Sequence, residues 1–242
     1  YKTTAYQFNN TEHAANLFGL KEFGNIYSRL GNPTVGALEA RLTALEEGAM
    51  CVALSSGTSA VMYSLINIMS QGDNFVTANQ LYGGTYTMFD NILPEYGIDS
   101  KKVDITDLAA VENAIDDKTR AIYCETITNP GLVVADISAL SEIAHSKGIP
   151  LIVDATFTTS AILKPFEYGA DIVVYSLTKW MSGHGRVIAG AVIEKGGFDW
   201  GNGNFPLYDK PDTSYGGMRW GHDLGDLGNV AYSLRLRTVP LR

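Results

Sequence analysis

Apolar runs alternate with helix-like segments along most of the chain. Several of the runs are continuously apolar, which is typical of strands that are covered on both faces of a sheet. We predict seven strands, at CVALSS, NFVTA, KKVDI, AIYCET, PLIVDA, DIVVYS and AGAVIE. Strands that alternate with helices in this way predict the α/β class, here a mostly parallel, doubly wound sheet with helices on both faces.

The segments between these strands carry apolar residues at helical spacing. VGALEARLTALEEG follows Asn32-Pro33-Thr34 and closes at Gly48, which are typical start and stop signals of a helix. Pro94 is expected to end or kink the helix in TYTMFDNILPEYG. Further helices are predicted at TSAVMYSLINIMSQG, DLAAVENAI, ISALSEIAHSKG and NVAYSLRLRTVPLR.

Two segments lack this alternation. Residues 1–28 are weakly periodic and predict an extended arm, with a possible helix cap at residues 9–12. The stretch 196–228 is rich in Gly, Asp, Asn and Pro and predicts a long loop. We therefore expect the arm, a large domain over residues 29–228, and the start of a connecting helix over 229–242.

Composition places the chain among soluble globular proteins. Its formal net charge of −8 and the lack of a basic stripe argue against nucleic acid as a partner. No apolar stretch approaches the roughly 20 residues of a membrane helix, so no membrane partner is expected. Cys51 and Cys124 lie in apolar runs and are expected to be buried free thiols, which suits the cytoplasm.

Polar residues follow the predicted strands at the sheet edge where α/β proteins bind ligands. Ser56-Gly57-Thr58 opens a helix and would suit an anion, although Ser-Gly at such a turn more often serves only as a cap. Asp154 ends an apolar strand, so its carboxylate requires a cation, either in a salt bridge or on a protonated pyridine ring.

Lys179 and Tyr82 are the other candidates at this edge. Near an apolar edge a lysine loses its proton readily and attacks carbonyl groups, whereas the tetrapeptide by itself more often holds a solvated loop lysine. Tyr82 suits either stacking on a flat cofactor or packing in a turn. His184 lies among glycines that predict a tight turn, and we interpret it as structural. The four histidines have no metal-ligand spacing, so no metal is expected: His13, His145, His184 and His222.

Several ordered motifs resemble those of a known family. They are YSRLGNPT, SSGTSA, LYGGTY, ETITNP, IVDATFTT and SLTKWMSGHG. They resemble the Cys/Met-metabolism enzymes that depend on pyridoxal 5′-phosphate (PLP), the γ-family of fold type I. The resemblance runs from YKTTAYQF to RLRTVPLR and is strongest to the O-acetylhomoserine sulfhydrylase group. It implies PLP as the cofactor.

The resemblance also implies roles for individual residues. Lys179 matches the lysine that forms the Schiff base with PLP, Asp154 the acid paired with the pyridine nitrogen, and Tyr82 the tyrosine stacked on the ring, which is often assigned a proton-transfer role. Thr58 stands where Met is usual, which leaves a backbone contact intact. The remaining matches surround the phosphate (Ser56, Gly57, Thr58, Ser176, Thr178) or the ring (Glu125, Asn129, Thr156).

Tyr27 and Arg29 match a pair that reaches the phosphate of the neighbouring subunit. The resemblance therefore implies a homo-oligomer, a dimer at minimum and commonly a tetramer. Family members continue into a smaller C-terminal domain that supplies an arginine for the substrate carboxylate, whereas this sequence stops at Arg242. We expect either a fragment or a naturally split protein.

The implied reaction is γ-replacement on O-acetyl-L-homoserine by a sulfur nucleophile, which gives homocysteine. Small-molecule amino-acid substrates and a sulfur donor are thus the expected ligands. Cystathionine γ-synthase and methionine or cystathionine γ-lyases share the same PLP residues, so the motifs do not separate these reactions. A non-catalytic PLP-binding fragment or subunit is an alternative of another class. A nucleotide-binding protein is disfavoured because no GxGxxG or GxxxxGK[ST] follows a strand.

Overall fold

Seven strands form a single sheet in the computed structural model, which describes residues 1–241. Arg242, the last residue of the predicted connecting helix, lies outside the described residues. The strand bounds lie close to the predicted apolar runs: β1 Met50–Leu54, β2 Asn74–Ala78, β3 Asp99–Val103, β4 Thr119–Glu125, β5 Leu151–Asp154, β6 Ile172–Ser176 and β7 Gly190–Glu194.

The sheet has the order β1-β7-β6-β5-β4-β2-β3, and only β7 runs against its neighbours. The predicted mostly parallel α/β fold is therefore confirmed. The direction of β7 follows from its connection, because residues 177–189 form a loop without a helix between β6 and β7. A parallel neighbour would require a crossover, usually a helix, to return the chain to the starting edge.

Helices precede or follow most strands. The predicted helix before β3 is broken into a short α-helix over Gly83–Thr87, a π-helical turn over Met88–Ile92 and a 3-10 turn over Leu93–Tyr96, because Pro94 has no N–H to continue the helical ladder. The α-helices are α1 Thr11–Phe18, α2 Pro33–Glu46, α3 Gly57–Ile66, α4 Gly83–Thr87, α5 Leu108–Ala114, α6 Ile137–Ser146, α7 Thr159–Ile162, α8 Pro206–Asp209 and α9 Ala231–Thr238.

Short polar side chains determine where these helices begin. The Asn32 side chain accepts the N–H of Thr34, and Pro33 occupies the first turn of α2, where its missing N–H costs nothing. Asp107 and Asp136 cap α5 and α6 in the same way. The predicted cap in the N-terminal arm is present at Asn10, which starts α1.

Strands β4, β6 and β7 are almost wholly buried, as their apolar sequences predict. Cys51 and Cys124 lie in this core as buried free thiols. Among the helices of residues 1–241, none has the length and apolar character that crossing a membrane requires.

The stretch 196–228 is more ordered than the predicted loop. It contains α8 and two 3-10 turns, and its aromatic side chains form a buried cluster. The Trp200 ring stacks between Tyr208 and Tyr232, with ring centroids 5.0 and 5.1 Å away. The Gly, Asn and Asp residues make the turns, whereas the scattered aromatics supply the buried area that holds the segment on the sheet.

Glu194, the last residue of β7, is a buried carboxylate beside this cluster. It accepts hydrogen bonds from the Ser233 N–H in α9 (2.8 Å) and from the Trp200 indole (3.3 Å). Burial raises its pKa to about 7, and the hydrogen bonds only partly oppose that rise. The ionised form is therefore less favourable in the folded chain than in the unfolded chain.

We expect Glu194→Gln to change how stability depends on pH. Because the pKa is raised on folding, Glu194 stabilises the fold at low pH, and this contribution is lost as pH rises through about 7. Relative to wild type, the variant should gain about 2–3 kcal/mol in unfolding free energy between pH 5 and pH 8. Urea unfolding at both pH values measures this. Glu142→Gln, at an exposed position, is the control. An equal wild-type-to-variant difference at both pH values would contradict the assignment.

Candidate active site

A cavity of about 720 Å³ opens at the carboxyl ends of β4, β5 and β6. Eleven of the thirteen residues predicted for the site line this one cavity, and Tyr27 and Arg29 do not. The sequence positions scattered over more than a hundred residues thus meet at one sheet edge. They are Ser56, Gly57, Thr58, Tyr82, Glu125, Asn129, Asp154, Thr156, Ser176, Thr178 and Lys179.

The N-terminus of α3 forms one wall of the cavity. The Ser56 hydroxyl accepts the N–H of Ser59 and lies 2.8 Å from the Ser59 hydroxyl, so Ser56 acts as the helix cap. The first N–H groups of a helix have no acceptor within the helix, and Gly57 and Thr58 carry them here. Their N–H groups and the helix dipole suit a phosphate.

Gly57 allows α3 to approach the end of β6. A Cβ atom at this position would collide with the Ser176 side chain and would lie 2.8 Å from the Ser176 Cα. We expect Gly57→Ala to push the helix away from the strand, costing about 1–3 kcal/mol of stability and weakening phosphate binding. Gly36→Ala in α2 is the matched control, because its added Cβ would meet no atom within 4 Å other than the neighbouring backbone of its own helix. Thermal unfolding and PLP titration measure both effects, and equal behaviour of the two variants would contradict this account.

Hydroxyl groups from β6 and its neighbours complete this wall. The Thr156 hydroxyl accepts the N–H of Ser176 at 2.8 Å and holds the end of β6 in place. The Thr178 hydroxyl is bound to the backbone N–H and carbonyl of Ala189, at 3.2 Å each, and closes the loop that leads to β7. Within residues 1–241 the Ser176 hydroxyl has no such partner, so it is free to donate to a bound anion.

Asp154 presents a carboxylate without a cation. One oxygen accepts the N–H of Thr156 at 2.9 Å, and the other accepts the Tyr123 hydroxyl at 3.3 Å. Burial raises the pKa of Asp154, and the hydrogen bonds only partly oppose this. No Lys, Arg or His in residues 1–241 forms an ion pair with it, so a cationic ligand atom would stabilise it.

Glu125 is a second buried carboxylate, paired in register with Asp154 on the adjacent strand. Its two oxygens accept the N–H groups of Tyr82 (2.8 Å) and Asn129 (3.1 Å). Burial, with a smaller contribution from the nearby Asp154 charge, raises its pKa to about 7. The Tyr82 ring remains 49% exposed and faces the cavity, where a flat ligand would cover it.

Lys179 lies in the turn after β6. Its N–H donates to the Ser176 carbonyl at 3.2 Å, and its own carbonyl accepts the Gly183 N–H at 3.0 Å. Its side chain is exposed at the cavity, and its amine has no hydrogen-bond or ion-pair partner in the part of the chain that the structure describes. Gly183 and Gly185, at φ +68° and +63°, make the predicted tight turn, and the exposed His184 does not line the cavity.

These residues fit a flat, phosphorylated aldehyde with a protonated ring. The α3 N-terminus and the Ser176 hydroxyl supply donors for a phosphate, and the unpaired Asp154 carboxylate supplies the partner of a ring cation. Lys179 supplies a free amine, and Tyr82 an uncovered aromatic face. The donor set therefore matches PLP in each of its parts.

Sequence reasoning missed Tyr123 and the apolar part of the cavity wall. The sequence indicates only that Tyr123 is a core residue of β4. The pairing of β4 with β5 brings its hydroxyl to Asp154. Phe157 and Trp180 directly follow the predicted Thr156 and Lys179, and that adjacency was the available signal. The apolar wall consists of Val61, Ile127, Phe157, Trp180 and Ile188.

Tyr27, near the end of the N-terminal arm, and Arg29, just after it, are exposed and lie outside this cavity. The Arg29 guanidinium stacks over the Tyr27 ring at 5.7 Å, and Tyr27 pairs with Ala5 in an isolated bridge. No ion pair of Arg29 is present among the described residues. Both side chains therefore remain available at the surface.

Comparisons with known proteins agree with this geometry. The family model of the Cys/Met metabolism PLP-dependent enzymes matches residues 1–218. O-acetyl-L-homoserine sulfhydrylase of Leptospira meyeri is 45% identical over 100% of this chain and 56% of its own length. Homocysteine synthase of Schizosaccharomyces pombe is 45% identical with the same coverage. The chain thus spans little more than half the length of these curated relatives.

A solved structure is also similar over the whole chain. It is a putative O-acetylhomoserine (thiol)-lyase of Campylobacter jejuni that contains N′-pyridoxyl-lysine-5′-monophosphate. The TM-score is 0.89 at 38% identity, and the match covers 100% of this chain and 65% of the other. That protein carries a pyridoxyl group on a lysine.

Proposed function

The chain belongs to the Cys/Met metabolism family of PLP-dependent enzymes, and on this premise we propose that it binds PLP in an enzyme that makes homocysteine. The proposed reaction replaces the γ-acetoxy group of O-acetyl-L-homoserine by a sulfur nucleophile. One observation carries the proposal: Lys179, Asp154, Tyr82 and the α3 N-terminus line a single cavity in complementary roles. The relatives named as sulfhydrylases and homocysteine synthase support the choice of substrate.

Four groups of the chain would hold the cofactor. Lys179 would bind the aldehyde carbon, Asp154 the ring nitrogen, and Tyr82 the ring face. Gly57, Thr58 and Ser176 would bind the phosphate, with Ser56 and Thr178 fixing the backbone around them. When bound, PLP withdraws electrons from the substrate Cα, which is the chemistry that amino-acid side chains do not supply.

The residues of the chain then move and hold protons. The Lys179 amine would be the base that removes the substrate Cα proton and later returns it. Asp154 keeps the ring nitrogen protonated by placing an unpaired negative charge beside it. The Tyr82 hydroxyl would assist these proton transfers, and the Tyr82 backbone N–H donates to Glu125.

We also propose a homo-oligomer in which Tyr27 and Arg29 complete the cavity of a neighbouring copy. The support is that both side chains are exposed where the arm meets the domain, away from the cavity of their own chain. In this organisation residues 1–28 form the contacting arm, 29–228 the PLP-binding domain and 229–242 the start of a connecting helix. The two buried free thiols support a reducing location such as the cytoplasm.

Product analysis of the purified holoenzyme tests the reaction. We expect O-acetyl-L-homoserine with sulfide to give homocysteine at least about tenfold faster than the O-succinyl or O-phospho substrates do, because exchanging the activating group changes the contacts it makes in the transition state. Faster formation of cystathionine from cysteine would identify a cystathionine γ-synthase. Release of a 2-oxo acid from cystathionine or methionine alone would identify a γ-lyase. PLP binding without any turnover would support the non-catalytic alternative.

A further inference from the structure

The loops that follow β2 and β4 are joined by one buried side chain. Glu125 ends β4 and is only 5% exposed. One of its oxygens accepts the N–H of Tyr82, in the loop after β2, and the other accepts the N–H of Asn129, in the loop after β4. Both of these residues line the cavity, so a single carboxylate connects two parts of the cavity wall.

Only an ionised carboxylate fits this position completely. Both oxygens of a carboxylate accept hydrogen bonds, whereas a glutamine amide offers one accepting oxygen and turns an N–H₂ group toward the second backbone N–H. A charged Glu125 also costs free energy here, because Asp154 lies in register on the next strand and no cation of residues 1–241 forms an ion pair with either carboxylate. A residue that only stabilised the fold would not need to place a second charge beside Asp154.

We propose that Glu125 is a positioning residue that holds Tyr82 and Asn129 against the reacting part of the substrate through its two backbone hydrogen bonds. This inference rests on the proposed function. It assigns Glu125 an effect on the reaction that is exerted through Tyr82 and Asn129. The Tyr82 ring is also constrained from below, since a Cβ on Gly84 would lie 2.7 Å from its Cε1 atom. The hydrogen bond to Glu125 and the contact with Gly84 together limit where the Tyr82 hydroxyl can lie.

Protonation of Glu125 would weaken its hydrogen bonds to the Tyr82 and Asn129 backbone. As pH falls through its pKa, the neutral acid keeps one good acceptor and loses the other, so one loop is freed and activity decreases. The titratable groups that face Glu125 are the Asp154 carboxyl, the Tyr82 and Tyr123 hydroxyls, the Cys124 thiol and the Lys179 amine of the same cavity. A cation bound to Asp154 removes the repulsion that helps to raise the pKa of Glu125, so the acid limb of activity should lie below about pH 7.

Glu125→Gln in the holoenzyme tests the proposal. We expect the variant to bind PLP in wild-type amount, to lose about 10- to 100-fold in kcat with KM for sulfide little changed, and to lose the acid limb of the kcat profile. Circular dichroism of the bound cofactor should differ from wild type. Glu142→Gln should change none of these readouts. Wild-type kcat together with an unchanged acid limb would overturn the proposal.

Two further variants keep the test decisive if Glu125→Gln folds poorly. Glu125→Asp keeps the charge and shortens the reach, so it should retain an acid limb at reduced kcat. Wild-type kcat in Glu125→Asp would refute the positioning role of Glu125. In a Tyr82→Phe background, Glu125→Gln should cost much less than in wild type, because both changes remove the same contribution. Fully additive losses would mean that Glu125 does not act through Tyr82.

Failure of the proposed reaction is distinguishable from failure of this inference. If wild type binds PLP but acts on cystathionine or methionine, the proposed reaction is wrong. The same Glu125 variants are then compared on that substrate, where the loss in kcat and the loss of the acid limb decide the positioning role independently.

Discussion

Replacing Lys179 by alanine is expected to abolish both the covalent attachment of PLP and turnover. The Lys179 amine is the only lysine amine among the described cavity-lining residues, and it has no partner that occupies it. Its loss removes the attachment point and the base for the Cα proton together. A general base alone contributes about 10²- to 10⁴-fold, so we expect at least this decrease in kcat.

The measurement combines absorbance with intact mass. After borohydride reduction the wild type should gain the mass of one pyridoxyl phosphate group per chain and keep it through denaturation, whereas Lys179→Ala should not. Because the side chain is exposed and its amine has no hydrogen-bond or ion-pair partner among the described residues, the thermal unfolding midpoint of the PLP-free chain should stay unchanged. Lys210→Ala, also exposed, is the control and should behave as wild type. A Lys179→Ala variant that kept the yellow chromophore and its turnover would show that another amine holds the cofactor.

The positions of the site residues were predictable because they follow from a rule of topology. Glu125, Asp154 and Ser176 end three strands that are neighbours in the sheet, so the parallel arrangement alone brings them to one edge. The alternation of strands and helices in the sequence predicts the parallel direction, whereas the order of the strands comes from the structure. The motif resemblance names the same residues, and the family match confirms the resemblance itself.

The hydrogen bonds made by the hydroxyl groups of the site were not predictable from the sequence. Ser56 and Thr178 occupy predicted cofactor positions, yet their hydroxyls are bound within the chain, to Ser59 and to Ala189. A sequence motif indicates which residue types stand near a ligand. It does not indicate which hydrogen bonds those side chains have already made, since this depends on the backbone that surrounds them.

A connecting loop and long-range packing account for the other features of the fold that the sequence did not predict. The antiparallel direction of β7 depends on a loop that carries no crossover helix, and its sequence AGAVIE is equally suitable for either direction. The order within residues 196–228 depends on the stacking of Trp200 with Tyr208 and with the more distant Tyr232, which forms only on folding. Local composition predicts turns there, and tertiary burial overrides it.

Asp154→Asn is expected to separate the chemistry of the site from the stability of the fold. The substitution keeps the shape and the hydrogen bond from Thr156, and the Tyr123 hydroxyl can accept from the new amide. The charge that would balance the ring nitrogen is lost. Removing one preorganised electrostatic contact typically costs about 10²- to 10³-fold in kcat, and we expect a loss of this order.

The same substitution should act in the opposite direction on the PLP-free chain. Because burial raises the pKa of Asp154, its neutral carboxyl group favours the fold at low pH, and that contribution is lost as pH rises through its folded pKa. At pH 8 the neutral Asp154→Asn variant should therefore unfold at equal or higher denaturant concentration than wild type, while Asp99→Asn, at an exposed position, changes neither property. A PLP-free Asp154→Asn variant clearly less stable than wild type would mean that Asp154 already pairs with a cation of the protein. The carboxylate would then be structural, and the cavity would lack the charge that a pyridine ring requires.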